Sequence, residues 1–312
     1  MAGISGDVRR LRKALERDQF RLVYQPKADM RTGRIVGVEA LARWVSPRRG
    51  AIPPSEFVAA AERSGSAIQA LTEWSLGEAF RQALTWQLGG HELTVAVNLS
   101  PRSLLDSSLT DLIATLLEKW DVSPELIQLE VTETAVFAMD EPERVARLLE
   151  RLAEMGFVLA LDDFGVGFSS LSRLRDLPIH MVKIDQSFVS RMHERPQDAL
   201  IVRGVIALAQ SLHLRTVAEG VEAEATWRRL ADLGCDVAQG QYLSQPLPPD
   251  DLIAWLRQWE ELYEEAHRIA EELVERRQGP NDRRSGPGDR RASRPERARF
   301  LRTHDEGVGR LG

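Results

Sequence analysis

The stretch FVLALDDFGVGFSS (residues 157–170) sets five apolar residues against two adjacent aspartates, then a loop with two glycines. The run from Phe157 to Leu161 reads as a buried strand bounded by charge. Neighbouring side chains of a strand point to opposite faces. Asp162 and Asp163 can therefore serve one site only where the strand ends and the backbone turns. Gly165 and Gly167 follow where such a turn needs residues without a side chain.

Seven further runs repeat this build: FRLVYQP, RIVGVEAL, LTVAVNLS, LIQLEVTE, HMVKID, RTVAEGVE and CDVAQGQYL. Amphipathic patterns lie between most of them. DLIATLLEKW and PERVARLLERLAEM place apolar residues at three- and four-residue steps, the helical period. NLSPRS and VSPE carry the cap and turn chemistry that opens helices. Strands separated by helices imply a parallel sheet. The first two strands are the exception. Only KADMRTGR separates them, too short for a parallel crossover, so they pair antiparallel.

Eight strands in about 240 residues fit an α/β fold of the (β/α)8 TIM type better than an open doubly wound sheet. Each run is apolar and then reaches a group able to bind a cation or a phosphate. In order these are Gln25, Glu39, Asn98, Glu130 with Glu133, Asp162 with Asp163, Lys183 with Asp185, Glu219 with Glu222, and Gln239. A barrel gathers them at one rim. So many carboxylates on one rim repel each other, by about 4 kcal/mol per close pair at an effective dielectric of 20. Raised pKa values or bound cations relieve that repulsion. The donors are oxygens, with no His or Cys among them, which suits Mg²⁺ or Mn²⁺ and argues against zinc or copper.

The composition is that of a soluble globular chain: 312 residues, 43% hydrophobic and 28% charged. One cysteine, Cys235, excludes an internal disulfide framework. The segment MAGISGDVRRLRKAL lacks the apolar core of a signal peptide, and no run approaches a membrane span, so a cytoplasmic location is expected. The net charge of −6 conceals an asymmetry, because residues 276–312 carry 11 arginines and 5 acids. The acidic body argues against general nucleic-acid binding through its main surface. The Gly-, Pro-, Ser- and Arg-rich end cannot bury enough apolar surface to order itself.

The segments YQPKADMRTGRIVGVEALARW, VNLS, LEVTE, LDDFGVGFSSLSRLRDLP, VKIDQSFV, VAEGVE and QGQYLSQPLP resemble, in order and spacing, the EAL domain family of cyclic di-GMP phosphodiesterases. The resemblance runs from about Val8 to Trp259. It implies a barrel with an irregular first strand, two divalent cations, Mg²⁺ or Mn²⁺, and hydrolysis of cyclic di-GMP to linear pGpG. Carried over by position, Glu39, Asn98, Glu130, Asp162, Asp163 and Glu219 resemble the metal ligands. Lys183 resembles the residue that orients the attacking water, and Glu219 the proposed general base, with a metal-bridging hydroxide as the competing view. Glu39 joins these two in the catalytic set. Gln25, Leu41, Arg43 and Gln239 match positions that contact substrate or order the site. Glu133, Asp185 and Glu222 match positions behind the ligands, and the counterpart of Glu133 holds the loop after the paired aspartates. Val166, Phe168 and Gln241 depart from the commonest family pattern, where Thr, Tyr and an aromatic are frequent.

DFG also occurs in protein kinases, but the chain has no Gly-rich ATP loop, HRD or APE segment. The rival of a different class is a non-catalytic receptor for cyclic di-GMP or a protein. The expected organisation is a barrel over residues 1–259, a helical extension over 260–275 and a disordered Arg-rich tail over 276–312. Leu252, Leu256, Trp259, Tyr263, Ala266, Ala270 and Leu273 form a heptad seam; Leu252 to Trp259 reads as a final barrel helix packed on the body, and Tyr263 to Leu273 points to a modest homodimer contact. With no GGDEF motif or recognisable sensor in the sequence, an upstream sensor or GGDEF protein acting in trans is the expected regulator. The Arg-rich tail suits contact with an acidic partner, anionic lipid or nucleic acid, and the alternative is a solvated, idle tail.

Overall fold

The computed structural model describes residues 2–137, 141–167 and 171–277. Phe168, Ser169 and residues 278–312 of the tail lie outside the described residues. Two compact units divide between Pro249 and Asp250.

The first unit carries nine strands among the described residues: β1 (Phe20–Asp29), β2 (Ile35–Ser46), β3 (Gly50–Ile52), β4 (Thr94–Leu99), β5 (Ile127–Thr132), β6 (Val158–Phe164), β7 (Met181–Ile184), β8 (Arg215–Ala218) and β9 (Val237–Gln239). Its helices are α1 (Ala2–Leu15), α2 (Pro54–Glu62), α3 (Gly65–Leu88), α4 (Leu109–Trp120), α5 (Glu133–Phe137), α6 (Pro142–Glu154), α7 (Leu171–Asp176), α8 (Gln186–Val189), α9 (Pro196–Ser211) and α10 (Glu224–Leu233).

The strand order is β1-β9-β8-β7-β6-β5-β4-β2, and β1 pairs again with β2, so the sheet closes into a barrel of the TIM type. Every pairing from β2 through β9 along this order is parallel, and β1 is antiparallel to both neighbours. The short β1–β2 link requires this, as its length predicts. β9 pairs β1 only at Lys27–Asp29, and the backbone of Leu247 takes over beside Tyr24.

Three features depart from the sequence reading. The hairpin strand β3 adds a ninth strand outside the barrel, on the overshooting end of β2. There Phe20, Trp44, Ile52, Phe57 and Ile68 join Leu11 of α1 in a small core, with Phe20 and Trp44 stacked at 5.2 Å. The VSPE segment opens a single 3-10 turn, Pro124–Leu126, that leads straight into β5; there is no room for a longer helix. NLSPRS likewise gives a 3-10 turn, Ser103–Leu105, with Ser100 Oγ accepting from the Ser103 amide at 3.1 Å.

The second unit begins at Asp250, and its described part is helical. α11 (Pro249–Arg277) is unbroken across Trp259, with Trp255 and Trp259 stacked at 5.3 Å. The side chains of Ala266, Ala270 and Leu273 are outside the described residues, so the seam is visible only as far as Tyr263. No helix among the described residues is long and apolar enough to cross a membrane.

Candidate functional site

The inward side chains of β2, β5, β6 and β7 bring Glu39, Glu130, Asp162 and Lys183 into the barrel, and Glu219 follows β8. The fully buried Lys183 ammonium is the hub. It lies 2.5 Å from Glu130, 2.7 Å from Glu219, 3.1 Å from Asp162 and 3.5 Å from Glu39. A lysine costs several kcal/mol to bury alone, and close carboxylates repel; each group compensates the other.

These groups are not all at strand ends, as the sequence reading has it. Glu39 is the fifth residue of the twelve-residue β2, directly opposite Gln25 of β1. Glu130 has two strand residues after it. The site lies within the mouth of the barrel, which is why Glu130 and Lys183 have no exposed surface. The paired aspartates also differ from expectation. β6 continues to Phe164, and its register against β7 shifts between Leu161 and Phe164. Asp163 takes a left-handed φ of 56° inside that irregularity. A bulge, not a strand end, breaks the alternation and turns Asp163 relative to Asp162. The Asp163 amide donates to its neighbour's Oδ1 at 2.8 Å, and its own side chain is exposed.

Polar bonds order the rim. Asn98 Nδ2 donates to Glu39 Oε1 at 2.7 Å, and Gln239 Nε2 donates to Glu39 Oε2 at 2.7 Å and to Gln25 Oε1 at 3.0 Å. Gln25 donates in turn to the Ser244 carbonyl at 3.2 Å. Gly240 allows this turn, since a Cβ there would stand 2.2 Å from the Val221 carbonyl oxygen. Leu41 and Arg43 are half-buried on β2 beyond Glu39, with Arg43 donating to the Ala42 carbonyl.

Behind the ligands, Glu133 is buried at the start of α5. Its Oε2 accepts from the amides of Gly165 at 2.8 Å and Gly167 at 3.4 Å. A Cβ at Gly167 would come within 2.7 Å of Glu133 Oε1, so the loop lies directly on this carboxylate. Asp185 caps α8 by accepting from the Ser187 amide at 3.0 Å. Glu222 is exposed and joins none of these bonds.

Two buried groups escaped the sequence reading. Lys27 Nζ, on β1, donates to Gln128 Oε1 and Glu130 Oε1, both at 3.2 Å, and Gln128 Nε2 donates to Glu130 Oε1 at 3.1 Å. The signal was present: Lys27 is two residues from Gln25, and Gln128 two from Glu130, so each shares its neighbour's face.

The electrostatics follow from this packing. Burial pushes Glu219 up to about 8, with Lys183 opposing and Asp162 and Glu39 adding to the rise. Asp163, exposed though it is, rises to about 6 through partial desolvation at the rim and the nearby Asp162 and Asp185. Burial also holds Glu130 above the usual carboxylate range against the pull of Lys183 and Lys27. At Glu39 burial acts upward, but Lys183, Lys27 and the bonds from Gln239 and Asn98 outweigh it and hold the group low. The same carboxylates raise Lys183 well above a normal lysine despite its burial.

Among the described residues no three Asp, Glu, His or Cys side chains stand as a ready cation cage. The carboxylates converge on the ammonium instead. The donor set still fits a divalent cation of the Mg²⁺ type: four carboxylates drawn to within 3.5 Å of one positive charge, all oxygen, beside the Asn98 amide.

The family model described as EAL domain matches residues 8–246. The chain belongs to the EAL domain family. This EAL domain is 42% identical over 245 residues to the bifunctional diguanylate cyclase/cyclic di-GMP phosphodiesterase MucR of Pseudomonas aeruginosa, covering 78% of the chain and 35% of MucR. It is 40% identical over 240 residues to the signaling protein YkoW of Bacillus subtilis, covering 77% of the chain and 30% of YkoW. The chain thus spans about a third of the length of these curated relatives. Among solved structures, the PaMucR phosphodiesterase in complex with c-di-GMP superposes with a TM-score of 0.75 at 41% identity. That match covers 79% of this chain and 99% of the other.

Proposed function

We propose that this EAL domain is a cytoplasmic enzyme that hydrolyses cyclic di-GMP to linear pGpG with two divalent cations, Mg²⁺ or Mn²⁺. The observation that carries the reading is the gathering of Glu39, Glu130, Asp162 and Glu219 around buried Lys183. The likeness to the PaMucR complex supports the substrate.

In this reading Glu39, Asn98, Glu130, Asp162, Asp163 and Glu219 hold the cations. When bound, the cations supply an activated water and compensate charge on the phosphoryl oxygens. Lys183 orients the attacking water by donating to it. Glu219, 2.7 Å from Lys183, accepts the water proton. The water oxygen forms the new bond to phosphorus, the P–O3′ bond breaks, and the leaving 3′ oxygen takes up a proton. The product is linear, with a free 5′ phosphate. Arg43 binds a phosphate oxygen as a permanent cation, with Leu41 packing beside the substrate. Gln25 and Gln239 keep Glu39 in place, and Glu133 keeps the Gly165–Gly167 turn in place.

Chromatography of cyclic di-GMP after incubation with purified protein and Mg²⁺ or Mn²⁺ tests the reading. Linear product is expected. Nucleotide returned intact, though bound, would establish the receptor alternative. For assembly, we assign self-association to the outer part of α11, where Leu262 is exposed. Truncation after Gln258 should lower the mass measured by light scattering and leave turnover intact.

A further inference from the structure

We infer that Lys27 and Gln128 restrict Glu130 to a single cation-binding oxygen, and so set the choice between Mg²⁺ and the larger Ca²⁺. The inference rests on the divalent-cation reading above and extends it to two residues outside the ligand set.

Strand β1 is antiparallel to both of its barrel neighbours. Because this strand runs antiparallel, its sequence proceeds down into the barrel. Gln25 stands level with Glu39, and Lys27, two residues on, lies one layer deeper. On β5, which runs the other way, Gln128 lies one layer below Glu130. Lys27 and Gln128 therefore meet beneath the carboxylate cluster, and both are buried.

The donor rules then fix every atom. An ammonium only donates, so Gln128 must turn its carbonyl oxygen toward Lys27. That leaves the Gln128 amide NH₂ facing Glu130, as observed at 3.1 Å. Glu130 Oε1 thus accepts two bonds, one from Lys27 and one from Gln128. A carboxylate oxygen has two lone pairs, so Oε1 has none left. Oε2, on the side of Lys183, accepts one bond at 2.5 Å and retains a lone pair for another partner. Glu130 can offer a cation Oε2 alone.

One-oxygen coordination suits Mg²⁺, which demands a near-octahedral shell at about 2.0–2.1 Å. Ca²⁺ takes about six to eight oxygens at about 2.3–2.6 Å and gains from two-oxygen carboxylates. A Glu130 locked to one oxygen withholds the additional donor that Ca²⁺ would use. Lys27 and Gln128 are positioning residues in this account, since neither touches substrate or cation.

The experiment measures binding of Mg²⁺ alone and of Ca²⁺ alone by titration calorimetry, in wild type, Lys27→Met and Gln128→Leu. The readout is the ratio of Ca²⁺ to Mg²⁺ affinity. Removing the Lys27 charge alters the attraction for both ions alike, so the ratio isolates the geometry. The ratio should rise about tenfold in Lys27→Met, which frees Oε1 of its charged donor. It should rise about threefold in Gln128→Leu, which frees one lone pair and leaves all charges in place. Ratios unchanged within the precision of the titration in both folded variants would overturn the inference while leaving the cation reading intact. Should Lys27→Met fail to fold, the ratio in Gln128→Leu decides alone. A wild type that binds neither ion overturns both readings together.

Discussion

Lys183 and Glu130 meet 2.5 Å apart with neither side chain exposed, at the centre of a ring of acids held by one ammonium. The same carboxylate is held from below by Lys27 at 3.2 Å. Glu130 is therefore the group on which both buried lysines depend, and the acids of the site differ in what their loss would do.

Glu130→Ala should destabilise the fold by about 3–5 kcal/mol, because it strands Lys27 as a buried charge without its ion-pair partner. Asp162→Asn leaves Lys183 three acids and relieves repulsion among them, so it should change stability by less than about 1 kcal/mol. Both should lower turnover at least about a hundredfold. Urea unfolding of the two variants, run beside activity assays, distinguishes them. Equal destabilisation would show that Lys27 does not depend on Glu130.

Lys183→Met should abolish turnover and, in chelator at pH 8, cost several kcal/mol, since four acids lose their counter-charge. Added Mg²⁺ should recover much of that loss. Thermal unfolding with and without the cation reads this directly. A variant as stable as wild type in chelator would remove Lys183 from its place as hub.

The pH dependence has a definite sign. Asp163 and Glu219 titrate near 6 and near 8 in the fold, above their unfolded values. Between the unfolded and folded values the native state binds more protons, so stability falls as pH rises. The melting temperature of cation-free protein should drop from pH 6 to pH 8. Cation binding needs the ionised acids, so the stabilisation by Mg²⁺ should grow over the same range. A melting temperature that rises from pH 6 to pH 8 in chelator would contradict the assignment.

Glu133→Ala and Gly167→Ala act on one contact from its two sides. The first removes the acceptor of the Gly165 and Gly167 amides, and the second drives a methyl group to 2.7 Å from that carboxylate. Each should lower turnover about 10–100-fold and raise the Mn²⁺ concentration needed for half activity. Wild-type behaviour of either variant at limiting Mn²⁺ would show that the turn does not organise the site.

The barrel was legible because its evidence is local. Apolar runs that reach polar groups recur along the chain with helical patterns between most of them, and the link from β1 to β2 is too short for anything but an antiparallel pair. Glu39, Glu130, Asp162, Lys183 and Glu219 were legible for the same reason. What depended on pairing between distant strands was not. The bulge at Asp163 arises from the register of β6 against β7, and no neighbour in sequence announces it. Strand β3 has three residues, and its hairpin bonds alone define it. Lys27 looked like a loop residue after Pro26. Its shared face with Gln25 was the available signal, and it counts only once β1 is seen to continue past Pro26 and pair with β9.

The most direct test of the account is product chromatography during a cation titration. Protein stripped by chelator is given cyclic di-GMP, and Mn²⁺ is added stepwise, for wild type and for Asp162→Asn. The account predicts no pGpG in chelator, product rising with Mn²⁺ to a plateau in wild type, and almost none in the variant. Undiminished hydrolysis in chelator, or a variant that follows the wild-type curve, would contradict it.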